Sequence, residues 1–414
     1  MILLAPLWTG GRAGAQPSPV TITPGLGHDR FTETFFLDDS SSINPDSLER
    51  IRKTQSDLQE TYASMRLGLE FERWRLDNTV YATNKAWRSI ANGHGRWSAG
   101  RWRTDFDGRL EWKGRSRSDS SAAAYTWARV GITPRWQWNE NWSLVLAGDW
   151  ELTDYRRNTS YTYDYNRLRA QAGLGYFGPQ MEYLDVRIGV AHRTVPDSSE
   201  QGYTEDFLRL DAYGWRFGRW RVEGEFSVVI RDFGTPEDEN DYSRWSVSTG
   251  IDYDWSPRWR TSVQTSWQCW DYRQPDELNY SLHDIRAEGG VRCRFNDVWE
   301  TGAVVELRLE RAVQDSLSEN DYRQWAAGPR LVWNSGAAIW SELAPRAGYR
   351  DYAARSTIYD DYTFWEFIWQ ADMLCPARTT ASATITYSSE RHADRSRDAD
   401  YLYVSVALRF PIRL

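Results

Sequence analysis

The chain of 414 residues contains no run of 18 apolar residues, and a membrane-spanning helix needs about 20. A helical membrane protein is excluded. Cysteine is scarce. Cys269, Cys293 and Cys375 are odd in number and stand at no ligand-like spacing, so neither a disulfide framework nor a structural zinc site is expected. An excess of basic residues is missing too: the formal net charge is −8, whereas nucleic-acid partners select for a basic patch. No G-x-S-x-G nucleophile motif occurs. There are five histidines (His28, His94, His192, His283 and His392). The nearest approach to a catalytic pair is Ser281 with His283, but two residues apart on one strand face means about 7 Å, beyond hydrogen-bond reach. The sequence predicts no enzyme, no metal site and no cofactor. The acidic stretches Pro236–Asp241 and Asp360-Asp361 lack EF-hand and nonapeptide spacing, and read as solvated loops.

Aromatic residues are what the chain has in excess. They make up 15% of it, with 24 Trp and 23 Tyr, while hydrophobic residues in total reach only 41%. A soluble core leans on Leu, Ile and Val. Many aromatics over a modest apolar content suit a wall with two interfacial belts and a polar interior.

The arrangement of these residues has period two over long runs. In 102–112 one face carries Trp102, Thr104, Phe106, Gly108, Leu110 and Trp112, and the other Arg103, Asp105, Asp107, Arg109 and Glu111. Residues 259–269 and 299–310 repeat the pattern. Alternate side chains of a strand point to opposite faces, so each run is a ribbon, greasy on one side and ionic on the other. These runs last about 11–14 residues, against about 5–6 for soluble strands, and about 9–11 tilted residues cross a bilayer.

Short turns alternate with longer polar connections. Trp138 meets Trp142 through Asn139-Glu140-Asn141, Trp255 meets Trp259 through Ser256-Pro257-Arg258, and Phe295 meets Val298 through Asn296-Asp297. A tyrosine opens each strand after a long connection: Tyr125, Tyr165, Tyr203, Tyr242, Tyr280, Tyr322, Tyr362 and Tyr401, at spacings of 40, 38, 39, 38, 42, 40 and 39. A β-propeller blade has a similar period, but it packs four short strands into it rather than two long ones. A soluble propeller-like protein is the weaker reading.

The last strand, Tyr401 to Leu414, places Leu402, Val404, Val406, Leu408 and Phe410 on one face. It resembles the C-terminal strand of bacterial outer-membrane β-barrel proteins, which carries their assembly signal. That family commonly ends on an aromatic residue, whereas this chain ends on Leu414. The resemblance is one of class, covers about residues 70–414, and implies outer-membrane lipid and the outer-membrane assembly machinery as partners.

The expected fold is therefore all-β: a transmembrane antiparallel up-and-down barrel of about 18 strands (range 16–20) over 62–414, with short periplasmic turns and longer extracellular loops. Residues 1–15 read as a signal peptide with a truncated n-region, ending in Ala13-Gly14-Ala15. Residues 16–61 read as a periplasmic or lumenal segment with a short helix from Pro45 to about Ala63. Trp136, Trp138, Trp142, Trp255, Trp259 and Trp299 are expected in the aromatic girdle at the short-turn side. Tyr242, Tyr322, Tyr362 and Tyr401 are expected in the girdle at the other rim, buried in lipid with their hydroxyls in water. Arg167, Arg169, Arg187 and Arg209 are expected to form a basic lumen cluster favouring anionic solutes. The function expected is a porin-like channel for small polar solutes, as a monomer or homo-oligomer, in the bacterial outer membrane. The alternative is a non-conducting barrel that anchors or receives a partner.

Overall fold

The structure, a computed structural model, describes residues 20–38, 50–83, 86–115, 124–156, 164–196, 198–234, 241–274, 280–314, 321–336, 338–354, 360–375, 379–392, 397–410 and 412–413. The strands run in chain order β1 (Val20–Asp38), β2 (Arg50–Glu70), β3 (Trp74–Thr83), β4 (Ala86–Ala99), β5 (Trp102–Arg115), β6 (Tyr125–Gln137) and β7 (Trp142–Tyr155). They continue as β8 (Tyr165–Phe177), β9 (Tyr183–Thr194), β10 (Tyr203–Phe217), β11 (Trp220–Phe233), β12 (Tyr242–Asp254), β13 (Trp259–Tyr272) and β14 (Leu282–Arg294). The last are β15 (Trp299–Ala312), β16 (Tyr322–Asn334), β17 (Ile339–Tyr352), β18 (Tyr362–Leu374), β19 (Thr380–His392), β20 (Ala399–Arg409) and the two-residue β21 (Ile412–Arg413). Each strand pairs antiparallel with its sequence neighbours, and β1 pairs with β20 and β21, which closes the sheet into a barrel. The wall has 20 strands, two more than the expected 18.

Those two strands come from the N-terminal segment. Instead of a helix from Pro45, the chain from Arg50 is strand β2, and Val20–Asp38 is the closing strand β1. The barrel thus begins at Val20 rather than near residue 62. Ile51 and Leu58 lie in β2 opposite Leu37 and Phe31, and pairing of β1 with both β2 and β20 gives them a sheet to join. The proposed signal peptide, 1–15, lies outside the described residues.

Turn chemistry fixes the short-turn rim. Asn139 Oδ1 accepts from the backbone N–H of Asn141 and Trp142 at 2.9 and 2.8 Å. Asn296 Oδ1 does the same for Val298 and Trp299 at 2.9 and 2.8 Å, and Ser256 Oγ for Arg258 and Trp259, both at 3.2 Å. Such side chains hydrogen-bond their own backbone two or three residues on and close the chain on itself. Two-residue turns sit at Gly100-Arg101 and Gly218-Arg219. Their glycines have φ of 58° and 64°, a region that L residues with a Cβ rarely enter.

The opposite rim is held by a polar side chain that immediately precedes several of the down-strands. Asp164 Oδ1 accepts from Tyr155 N at 2.6 Å, Asp241 from Phe233 N at 2.7 Å, Asp321 from Ala312 N at 2.6 Å and Asp361 from Tyr352 N at 2.8 Å. Ser281 Oγ serves Tyr272 N at 2.9 Å. Each ties the end of an up-strand to the start of the next down-strand. Asp241, Asp361 and Ser281 are buried, so the connection leaves the wall from a fixed point.

Candidate functional site

Parity sorts the wall into two faces. Outward lie Leu144, Leu146, Leu168, Leu174, Ile188 and Val190 on three consecutive strands, β7 to β9, all exposed. A contiguous apolar surface on this scale marks a membrane-facing wall. Inward lie the ionic residues, paired across or along strands. Arg167 meets Glu151 at 3.0 Å, Arg187 meets Asp185 at 2.7 Å, Arg231 meets Glu205 at 2.5 Å, Arg330 meets Glu342 at 2.8 Å, and Arg346 meets Glu306 at 3.0 Å. Ion pairs open to water contribute little stability, about 0–1 kcal/mol each. Their consequence here is local: most of the lumen arginines have their charge compensated within one strand spacing.

The four arginines of the expected cluster all face the lumen, but the register separates them into two levels. Arg167 lies opposite Arg193, and Arg169 opposite Ala191. Arg187 lies opposite Gly173 on β8 and Arg209 on β10. Four residue steps between 169 and 173 amount to about 14 Å along the strand. Arg187 and Arg209 are therefore neighbours, Arg167 and Arg169 are neighbours, and the two pairs do not meet. Arg209 is held by Asp211 at 2.8 Å. Arg169 differs from the rest: no carboxylate of a described residue lies within ion-pair distance, and its guanidinium rests 4.0 Å from the ring centre of Phe207.

The tyrosines of the repeat also face the lumen, which corrects the expected lipid-side girdle. Tyr242 shares its face with Arg244, Ser246 and Ser248, Tyr322 with Gln324 and Arg330, Tyr362 with Glu366, and Tyr401 lies opposite Ser388, itself opposite Glu366. Tyr203, Tyr322 and Tyr362 are buried. Between successive tyrosines the preceding up-strand inserts a cation. Arg193 lies 5.7 Å from the ring of Tyr165 and 4.3 Å from that of Tyr203. Arg231 lies 4.2 Å from Tyr203 and 5.0 Å from Tyr242, and Arg350 lies 4.3 Å from Tyr322 and 5.2 Å from Tyr362. On β13 an aromatic takes the cation's place, with Trp270 at 5.0 Å from Tyr242. The guanidinium edges are engaged as well. Arg193 donates to Gln201 O at 2.6 Å and Arg350 to Gln324 Oε1 at 2.8 Å. The result is a locked inner collar just below the long-loop rim. Its arginines escaped the sequence reading, although Arg231-Asp-Phe233, Arg350-Asp-Tyr352 and Trp270-Asp-Tyr272 recur in the period.

Tryptophan, not tyrosine, forms the outward belt at that rim. Trp112, Trp150, Trp245, Trp325 and Trp365 are exposed on the outer face. Three of them stand three residues after a collar tyrosine, at 242/245, 322/325 and 362/365, and an odd offset places the two on opposite faces. At the short-turn rim Trp136, Trp142, Trp259 and Trp299 point outward with Trp102 and Trp333. Trp142 packs at 5.0 Å on Tyr176, and Trp299 stacks on Trp333 at 5.9 Å. Trp138 and Trp255 lie in the turns themselves and are exposed.

A recess of about 300 Å³ opens in the lower lumen wall, lined by Tyr213, Glu223, Glu225, Gln264, Arg286 and Glu288 among others. Glu225 accepts a hydrogen bond from the Tyr213 hydroxyl. Ser281 bonds to Tyr272 N and to Asp271 at 3.3 Å, while His283 stacks on Trp267 on the outer face. No group of three or more potential metal ligands occurs among the described residues.

A closed antiparallel wall, apolar and aromatic-girdled outside and ionic inside, defines a transmembrane barrel of the outer-membrane type. Solved structures share this fold. OpdQ of Pseudomonas aeruginosa aligns over 95% of this chain and 98% of its own, with a TM-score of 0.52 at 11% identity. A BenF-like porin from Pseudomonas fluorescens Pf-5 aligns over 95% and 99%, with a TM-score of 0.53 at 9% identity. The siderophore receptor PirA of Pseudomonas aeruginosa aligns over 93% and 80%, with a TM-score of 0.52 at 11% identity. No family model matches the sequence, and no curated protein matches it.

Proposed function

We propose that the barrel is a porin-like channel that lets small polar solutes cross the outer membrane. The observation that carries this reading is the ionic inner face of a ring of 20 strands. Among the described residues every strand belongs to that wall, and the helical turn Ser199–Gln201 lies in a connection at the rim. Barrels of 16–18 strands already enclose water, and the shared fold with a BenF-like porin supports the same reading. Lumen charge of both signs fits solutes that are polar rather than of one fixed charge.

The second reading is a receptor barrel with a filled lumen. The shared fold with PirA favours it, as does a strand count between those of porins and of the 22-stranded plugged transporters. Single-channel recording of the purified protein in planar bilayers separates the two. A channel gives discrete ohmic steps and swells liposomes in sugars, amino acids or phosphate; a filled barrel gives neither. Arg169 tests the lining. Among the described residues it makes no ion pair, although Asp149 lies opposite it in the register, so Arg169→Gln shifts the reversal potential in a salt gradient toward cations.

A further inference from the structure

We infer that the outer face of β14 to β16 holds the phosphate of an anionic lipid in the leaflet at the long-loop rim. The outward residues of β15 are Trp299, Thr301, Ala303, Val305, Leu307 and Leu309, followed by Arg311. Ten residue steps from Trp299 to Leu309, at about 3.4 Å and tilted about 40°, climb about 25 Å, the height of the apolar band of such barrels. Arg311 is the next outward residue and therefore stands at the headgroup boundary.

Its neighbours complete a basic patch. Arg323 lies opposite Leu309 on β16, one diagonal step from Arg311, and His283 lies directly opposite Arg311 on β14. Diagonal neighbours stand about 7–8 Å apart at Cβ, within reach of long side chains converging on one phosphate. Both arginines are exposed, and neither has a carboxylate partner within ion-pair distance among the described residues. Other outward arginines at this rim do: Arg391 meets Asp400 at 2.9 Å, and Arg273 meets Asp232 at 2.9 Å. Around much of the remaining rim the outward ionic residues are acidic, as at Asp154, Asp206 and Asp271; in the patch itself Asp321 lines the same recess as the two arginines with its carboxylate taken up by Ala312 N at 2.6 Å, and Asp351, opposite Arg323, ends it on β17. Directly below lie exposed Ile285, Leu307 and Trp325, a surface for acyl chains. Guanidinium donors above an apolar wall match a phosphorylated lipid: forked N–H groups meet phosphate oxygens while the chains cover the strands below.

The test is binding of detergent-solubilised full-length protein to bis-phosphorylated lipid A and to its dephosphorylated counterpart, followed by native mass spectrometry. The wild type prefers the phosphorylated lipid by roughly thirtyfold, the value for two arginines at an anionic surface. R311Q/R323Q removes that preference while keeping the compact, heat-modifiable electrophoretic form of a folded barrel. Equal binding of the two lipids by the wild type, or an unchanged preference in the folded double variant, overturns the inference. So does full displacement of the lipid by millimolar inorganic phosphate, which would make the patch a site for free anions.

Discussion

Tyr322 and Trp325 stand three residues apart on one strand and have opposite fates. The phenol is buried on the inner face between Arg308 and Arg350. The indole is 52% exposed on the outer face. Either ring is amphipathic enough for a membrane interface, so side-chain chemistry alone would put both in a lipid belt. The pleat decides otherwise. At the inner surface the ring face receives a guanidinium and the hydroxyl finds a carboxylate, as Tyr165 finds Glu151 at 2.6 Å. At the outer surface an indole meets acyl chains and headgroups.

The largest test of that contrast takes two adjacent residues at mid-height. Val305 faces out and Val304 faces in, opposite Gly290 and Gly328. Val305→Arg is expected to destabilise the barrel by about 2–4 kcal/mol and Val304→Arg by under about 1 kcal/mol, read from urea-induced unfolding in lipid vesicles. Equal costs would put the two faces in the same solvent. Next comes the anchoring carboxylate, which is buried: Asp361→Ala strands the half-buried Tyr352 N–H and should cost about 1–3 kcal/mol, with faster proteolysis of the adjoining connection. Arg350→Met withdraws a cation from two rings and should lower stability by about 2 kcal/mol or less. Trp325→Leu, its outer counterpart, should change stability by about 0.5 kcal/mol; a larger loss than for Arg350→Met would make the outer belt, rather than the collar, the structural ring.

The sequence made the barrel legible because alternation, turn chemistry and a period near 39 agree. The strands from β4 onward and the turns at Asn139, Ser256 and Asn296 follow from those signals. The tyrosines were misplaced because residue type outweighed parity: counting by twos from Tyr242 reaches Arg244, Ser246 and Ser248, on the ionic side. β1 was hidden by Pro24, Gly25 and Gly27, which thin its alternation. Gly27 is nevertheless where a neighbour fits. The Tyr62 ring occupies the space a Cβ would take, a cross-strand contact that no local pattern announces. The arginine cluster failed for a related reason, since alternation gives the face of a residue but only the register gives its height.

The lateral step of two residues per hairpin has an evolutionary consequence. Tyr125 lies opposite Tyr155, whereas Thr153 lies opposite Tyr165, so each unit starts two residues further along its neighbour; most of the phenols keep this step around the tilted wall, while on β14 Leu282 and on β20 Ala399 take the stepped position. One whole unit is thus the smallest length of chain that can be gained or lost with inside and outside preserved. Duplication of about 39 residues widens the tube by a hairpin and supplies both the aromatic on its inner edge and the partner for the next one.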